Sequence, residues 1–252
     1  MQIRKWNELP PEMQTEEVRY YYDVLCKKRF SLAVKRLFDI VVSAIMLVLI
    51  SPLFLILAVA IKLDSPGPVY YRQERVTAYG KRFHIHKFRT MVNGADKKGG
   101  LVTVKNDSRV TRVGSFIRKC RLDETSQLID IFLGNMTFVG TRPEVVKYVD
   151  RYAPVMLATL LLPAGVTSEA SIFYKDEAKM LEDAENIDDA YIEKVLPGKM
   201  YYNLKSIEEF SFWRDIATMF KTFFAVLGKN YEADTAAETK FAEELKNKSK
   251  IG

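Results

Sequence analysis

The sequence predicts a mostly helical α+β protein. A small cytosolic domain with a short β-hairpin is tied to a re-entrant membrane helix-break-helix hairpin and to interfacial amphipathic helices. Three observations predict this class. Residues Ile40 to Ile61 form a run of 22 residues without a charge. A Ser-Pro pair, Ser51-Pro52, interrupts that run. Two stretches of strand-type alternation follow it, and then several segments with helical periodicity.

Composition supports a folded chain. Of 252 residues, 48 % are hydrophobic, enough for a sizeable core, and 28 % are charged. The net charge of +6 implies an anionic partner: nucleic acid, an anionic membrane surface or a phosphorylated ligand. No stacking module or basic helix motif accompanies the charge, so nucleic acid is set aside. Cys26 and Cys120 are too few for a disulfide framework and imply a reducing compartment.

In chain order, residues 1–34 mix charge with aromatics ("EVRYYYDVLCKKRF") and predict an interfacial helix or a partner-binding arm. Residues 35–63 hold the apolar run, which as a straight helix would reach roughly 33 Å, about one hydrocarbon core. Its flanks are both basic. Lys27, Lys28, Arg29, Lys35 and Arg36 precede it; Lys62, Arg72, Arg75, Lys81, Arg82, Lys87 and Arg89 follow. Basic flanks stay cytoplasmic, so a simple span puts one on the wrong side. Pro52 lacks an N–H and leaves the Val48 carbonyl without its helical partner; Ser51 can return a hydrogen bond. The expectation is a helix that dips into one leaflet and returns, with a kinked full span as the competitor.

Residues 64–228 read as the cytosolic-facing domain. "GPVYYRQERV" and "KRFHIHKFRTM" predict a hairpin turning at Tyr79-Gly80. "NGADKKGGLVTVKNDS" predicts a loop. "VGSFIRKCRLDETSQLIDIFLG" predicts one helix, stopped by Gly134. "EEFSFWRDIATMFKTFFAVLG" is strongly amphipathic and is read as lying in the membrane interface, with Trp213 as anchor. Residues 229–252 read as a charged tail, solvated or disordered.

The chemistry concentrates at "RKCRLDETSQL". Asp123 and Glu124 are adjacent, and successive helix residues point about 100° apart, so the two carboxylates converge only across a cation or a ligand. Alone they would be surface charges. Lys87, Arg89, Arg109, Arg112 and Arg118 gather near them, and "GNMTFVGTRPE" adds a Gly-bounded loop ending in Arg142-Pro143. Arginine binds phosphate bidentately, and loop glycines permit close backbone approach. A carboxylate pair among arginines beside a membrane points to phosphoryl chemistry. Mg²⁺ would offset repulsion there, and a carboxylate could act as nucleophile. His84 and His86 alternate on a strand but lack further ligands and are read as structural or surface residues.

"KRLFDIVVSAIMLVLISPLFLILAVAIKLDSPGPVYYRQERVTAYGKRFHIHKFRTM" and "RVTRVGSFIRKCRLDETSQLIDIFLGNMTFVGTRPE" resemble the bacterial sugar transferases, the monotopic polyprenyl-phosphate phosphoglycosyl transferases, in their minimal catalytic form. The resemblance runs from about Lys35 to Glu144 and more weakly through "KMYYNLKSIEEFSFWRDIATMFKT". It implies transfer of a sugar-1-phosphate from a UDP-sugar to polyprenyl (undecaprenyl) phosphate with release of UMP. It further implies a Mg²⁺ requirement, with Asp123 and Glu124 at the metal, and a covalent phosphosugar intermediate on Asp123. Glu124 is left as metal ligand or proton acceptor. The cations Lys87, Arg89, Arg109, Arg112, Arg118 and Arg142 are assigned to phosphates, and Ser51-Pro52 to the hairpin break. The place of work is the cytoplasmic face of the bacterial inner membrane, in contact with phospholipid. The sugar is not identified, and the oligomeric state stays open, a homo-oligomer included.

The chain also departs from the family pattern. "LPAGVTSEAS" stands where "RPGITG" is common, with Pro163 in place of the arginine and Ser168 in place of the second glycine; Gly165 and Thr167 remain. Asn203 stands where aspartate is common. Two other functions compete. One is an inactive membrane-bound scaffold on anionic lipid; the other is a lipid-phosphate phosphatase or phosphodiesterase, with water as final acceptor.

Overall fold

The structure, a computed structural model, describes residues 1–95, 107–181, 184 and 186–249. The elements in order are helices α1 (Glu16–Cys26) and α2 (Arg29–Asp64), strands β1 (Tyr70–Val76) and β2 (Arg82–Phe88), helix α3 (Arg112–Lys119), a 3-10 segment Leu122–Gln127, helix α4 (Leu128–Leu133) and strand β3 (Met136–Val139). Helix α5 (Val146–Val149), strand β4 (Ala164–Thr167), helices α6 (Glu169–Phe173), α7 (Glu177–Met180) and α8 (Ile187–Ala190), a π-helical stretch Tyr191–Val195, and helices α9 (Leu196–Glu208), α10 (Phe212–Val226) and α11 (Thr235–Ser249) complete the fold. The class is the expected mostly helical α+β.

The hairpin forms where the alternation places it. Strands β1 and β2 pair antiparallel with Tyr71 opposite Lys87 and Arg75 opposite Phe83. Both turn residues are left-handed, Tyr79 at φ 58° and Gly80 at φ 71°. Strands β3 and β4 pair in parallel. The two strands are linked at one end by close backbone contact, since a Cβ on Gly165 would lie 2.2 Å from the Gly140 nitrogen.

Helix α2 differs from the expected helix-break-helix. The chain stays helical through Pro52, over 36 residues. The Ser51 hydroxyl donates to the Val48 carbonyl at 2.8 Å, so the carbonyl that Pro52 leaves unpaired has its partner back locally. The helix is long and apolar enough to cross a membrane.

Both halves of α2 are nevertheless fastened to the same domain. In the first half, Lys35 Nζ donates to the Val139 carbonyl at 2.7 Å, and Arg36 donates to the Ile131 and Phe132 carbonyls at the end of α4. Asp39 accepts from Thr137 Oγ1 at 2.7 Å. Midway, Leu47 and Ile50 pack on the cluster of Phe83, Ile85 and Ile131. In the second half, Leu57 and Ile61 pack with Phe88 and Ile117, and Asp64 accepts from the Val113 N–H at 2.9 Å. The opposite face, with Val48, Leu49, Leu55, Ile56, Val59 and Leu63, is exposed.

Three further expectations change. The N-terminal segment is part of the core and not a separate arm: Leu9, Met13, Val18 and Leu25 are buried with Leu160, Leu161, Leu204 and Ile207. An amphipathic pattern cannot distinguish an interface from a neighbouring domain surface. The tail is likewise docked, with Phe241 and Leu245 of α11 packed on the cluster around Tyr148, Val195 and Leu196. The single helix expected across 113–134 is two helices. Arg121 takes a left-handed conformation at φ 56°, and the chain runs on as the 3-10 segment before α4. The loop expected at 93–108 lies mostly outside the described residues.

Candidate active site

The break at Arg121 decides where the acidic pair points. A continuous helix would splay Asp123 and Glu124 round its axis. The left-handed residue, an uncommon conformation outside glycine, re-aims the chain so that the 3-10 segment packs against β2. Asp123 is 6 % exposed as a result. Lys87, projecting from β2, lies 2.9 Å from Asp123 Oδ2 and 3.3 Å from Glu124 Oε1. Arg142, from the loop after β3, donates to Glu124 Oε1 at 2.5 Å. Two carboxylates and two cations from three elements thus meet at one point.

The charges act on one another. Burial alone would push the Glu124 carboxyl up; the Arg142 and Lys87 cations outweigh it and hold Glu124 well below the usual carboxylate range. Glu124 in turn, as the larger influence, raises Arg142 against the effect of its own burial. Both groups therefore stay charged at any working pH.

Beside the dyad lies a cavity of about 640 Å³. Lys87, Arg89, Arg109, Arg118 and Arg142 line it. Their engagement differs. Arg118 donates to Thr90 Oγ1 at 2.8 Å and is held below its ordinary value by burial, with Asp123 pulling the other way. Arg109 forms a fork with Asp107, with contacts of 2.6 to 3.1 Å. The Arg89 guanidinium donates to the Ser65 carbonyl at 2.6 Å and the Pro66 carbonyl at 2.8 Å, which secures the end of α2. Gly67 makes room for it: a Cβ there would sit 2.0 Å from Arg89 Nη1. Arg112 opens α3 on the exposed surface and does not line the cavity.

The motif pattern does not single out Tyr71, Gln73, Arg75 or Gln127, which line the same cavity. The strand period contains a signal for three of them. Tyr71, Gln73 and Arg75 alternate on β1 opposite Lys87, Ile85 and Phe83, so they share the face that carries Lys87. Arg75 donates to the Pro143 carbonyl at 3.1 Å and ties β1 to the Arg142 loop. The divergent segment still supports that arginine, since Arg142 Nη1 reaches the carbonyl of Val166 in β4 at 3.5 Å. His86 is held by Asp130, Nδ1 to Oδ1 at 2.8 Å, in line with a structural role.

A sequence model of the bacterial sugar transferases matches residues 30–229, which includes the hairpin, the dyad and the Arg142 loop. The chain belongs to the bacterial sugar transferase family. Among curated relatives, a UDP-N-acetylgalactosamine-undecaprenyl-phosphate N-acetylgalactosaminephosphotransferase of Aeromonas hydrophila is 35 % identical over 173 residues, covering 68 % of this chain and 38 % of the relative. A UDP-glucose:undecaprenyl-phosphate glucose-1-phosphate transferase of Escherichia coli K12 is 36 % identical over 172 residues, 67 % of this chain and 34 % of the relative. A putative undecaprenyl-phosphate N-acetylgalactosaminyl 1-phosphate transferase of Bacillus subtilis is 40 % identical over 121 residues, 48 % of this chain and 68 % of the relative. The chain spans about a third of the length of the first two. These family members carry different sugars in their names, so membership leaves the sugar open.

The Mg²⁺ expected from the sequence resemblance has a donor set to meet in Asp123 and Glu124. No group of three or more acidic, histidine or cysteine ligands occurs among the described residues. Asp123 and Glu124 offer two carboxylates, with Lys87 and Arg142 engaging Asp123 Oδ2 and Glu124 Oε1. That suits Mg²⁺, which is commonly held by one or two carboxylates together with substrate phosphates and waters.

Proposed function

We propose that this protein is a membrane-associated phosphoglycosyl transferase. It moves a sugar-1-phosphate from a UDP-sugar to polyprenyl phosphate, releases UMP and opens the membrane stage of surface glycan assembly. The observation that carries the reading is the buried Asp123-Glu124 pair, ion-paired to Lys87 and Arg142 beside a cation-lined cavity. An inactive scaffold gives no reason for a carboxylate pair and its cations to converge beside a cavity lined by further arginines.

The chemistry follows from the groups present. An Asp123 carboxylate oxygen attacks the sugar-bearing phosphorus of the UDP-sugar. The phosphoanhydride bond breaks, and its electron pair leaves with UMP. The acyl phosphate on Asp123 is then attacked by an oxygen of the lipid phosphate, which restores the carboxylate and forms the sugar-diphospholipid. Lys87 and Arg142 orient the dyad and offset the developing phosphate charge. Arg118, which lines the cavity, would meet the donor's phosphates. Bound at Asp123 and Glu124, Mg²⁺ would neutralise phosphate charge.

The membrane geometry is part of the proposal. The domain contacts along α2 support a helix that enters and leaves through one leaflet, with both ends on the cytoplasmic face of the inner membrane. The exposed apolar faces of α2 and α10 would sink into lipid and put the dyad at headgroup depth, where the acceptor's phosphate sits.

A UMP-release assay across UDP-sugars, with undecaprenyl phosphate and Mg²⁺, tests the function. Release with one donor, and sugar-diphospholipid as product, is the expected result. Absence of UMP across a broad panel would favour the scaffold; phosphate released to water without lipid product would favour the hydrolase.

A further inference from the structure

Arg142 is anchored by more than its own side chain. Two residues on, Glu144 is 8 % exposed and faces the helical side of the domain. Tyr191 OH donates to Glu144 Oε1 at 2.5 Å. Lys199 Nζ donates to Tyr191 OH at 2.8 Å, to Glu144 Oε1 at 3.4 Å and to Glu177 Oε2 at 3.1 Å. Tyr148 stacks on Tyr191 with ring centroids 4.6 Å apart. Neither Tyr191 nor Lys199 lines the cavity beside the dyad.

The opposite side of the same three-residue stretch is pinned to β1. Val76 N–H donates to the Glu144 carbonyl at 3.0 Å, and Arg75 donates to the Pro143 carbonyl. Pro143 fixes one φ between the two ends, which narrows how far a shift of Glu144 is absorbed before it reaches Arg142. The helix itself is adjusted to make the contact. Residues eight apart on a regular α-helix stand about 80° round the axis. The π-helical stretch Tyr191–Val195 has a wider turn, which rotates Tyr191 and Lys199 toward one face.

We propose that Tyr191 and Lys199 are positioning residues: by holding the Glu144 carboxylate from the helical side, they fix the Arg142 guanidinium against Glu124. The proposal rests on the transferase reading for its effect on turnover, but the clamp itself can be read without turnover. A buried ionic cluster contributes little net stability over an apolar one, and fixing one arrangement is its best-attested use.

The experiment uses the full chain in detergent, with Lys199→Met, Tyr191→Phe, Lys199→Arg and Arg142→Ala. Hydrogen exchange is followed at residues 141–145 alongside UMP release. Lys199→Met is expected to speed exchange in that segment and to lower kcat about 10- to 100-fold with little change in donor KM, the scale of a misplaced catalytic group. Added to Arg142→Ala, it should cost less than about threefold more, because the group it positions is already gone. Tyr191→Phe should show a smaller effect of the same kind, and Lys199→Arg should restore most of the activity. Should Lys199→Met fail to fold, Tyr191→Phe and Lys199→Arg decide the point on the same measurements. Unchanged exchange at 141–145, or an undiminished loss in the Arg142→Ala background, would overturn the clamp. Should the unaltered protein release no UMP, the transferase reading fails, and the exchange comparison still decides whether Lys199 holds the loop.

Discussion

Glu124 is the residue whose state is best determined by its surroundings. Burial pushes its carboxyl up, and Arg142 with Lys87 pulls it further down, so the folded protein holds it well below the usual carboxylate range. A depressed carboxylate stabilises the fold above its unfolded value, near about 4.3, and that contribution is lost as pH falls through the folded value. The acid limb of kcat/KM near neutrality should therefore not report Glu124 in the unaltered protein. Arg142→Ala removes the larger opposing charge and leaves burial opposed by Lys87 alone. The acid limb should then move to higher pH, with activity down about 10²-fold at its optimum, as on loss of an electrostatic donor. A pH–rate profile from pH 5 to 9 reads this directly; an unmoved limb would count against the pairing. The partner residue behaves differently. Asp123→Asn should lower turnover by about 10⁴-fold or more and abolish any phosphorylated protein trapped without lipid acceptor, whereas Glu124→Gln should retain some label.

At the scale of elements, local pattern predicts what depends on local forces. Alternation places β1 and β2, and Gly134 ends α4 as expected, at φ 85°. Ser51 does repair the Val48 carbonyl, but the pattern cannot show that this repair lets α2 continue through Pro52. The split at Arg121 is also invisible, because 113–134 keeps helical spacing on both sides of one left-handed residue. Tertiary packing of Asp123 against β2 selects that conformation over propensity. At the dyad, the pair itself and Lys87, Arg118 and Arg142 are legible as charge clusters. The exposed position of Arg112 and the spending of Arg89 on the end of α2 are not, since sequence separates neither from a ligand cation. Gly165 gives a test at this scale. Its Cβ would meet Gly140 backbone, so Gly165→Ala should destabilise by roughly 1–3 kcal/mol and lower Tm, while Gly80→Ala, with open space but a left-handed backbone, should cost less.

Across the whole molecule, polarity is arranged inside out on one side. Helix α10 turns its charges inward: Lys35 lies 2.5 Å from Asp215, and Arg214 and Lys221 reach Glu169 at 3.1 and 3.2 Å. Its apolar residues face outward, with Trp213 77 % exposed alongside Phe220 and Phe223. Phe30, Leu37 and the outer face of α2 are exposed as well. A water-facing surface of this composition would promote association, and lipid gives it a partner. Of the two tryptophans, Trp6 sits against Tyr22 in the N-terminal segment, with ring centroids 5.1 Å apart. A Trp6→Phe variant therefore leaves Trp213 as the sole reporter. Its emission should shift to the blue when anionic vesicles are added. Phe220→Ser with Phe223→Ser should weaken partitioning about tenfold or more, at roughly 1 kcal/mol for each partly buried ring. The proposed topology is tested on the same arrangement. Cys120 is exposed beyond α2, and Lys27→Cys in a Cys26→Ser background places one thiol, on the exposed surface, before it. Both should react with an impermeant maleimide from the cytoplasmic side alone, because the domain that binds the first half of α2 also binds the second. Pro52→Ala restores a backbone donor to Val48 and favours a straight span, so it should weaken this shared sidedness. Labelling of position 27 from outside the cell in the parent protein, with Cys120 labelled only from inside, would show a crossing helix and separate the dyad from the placement argued for it.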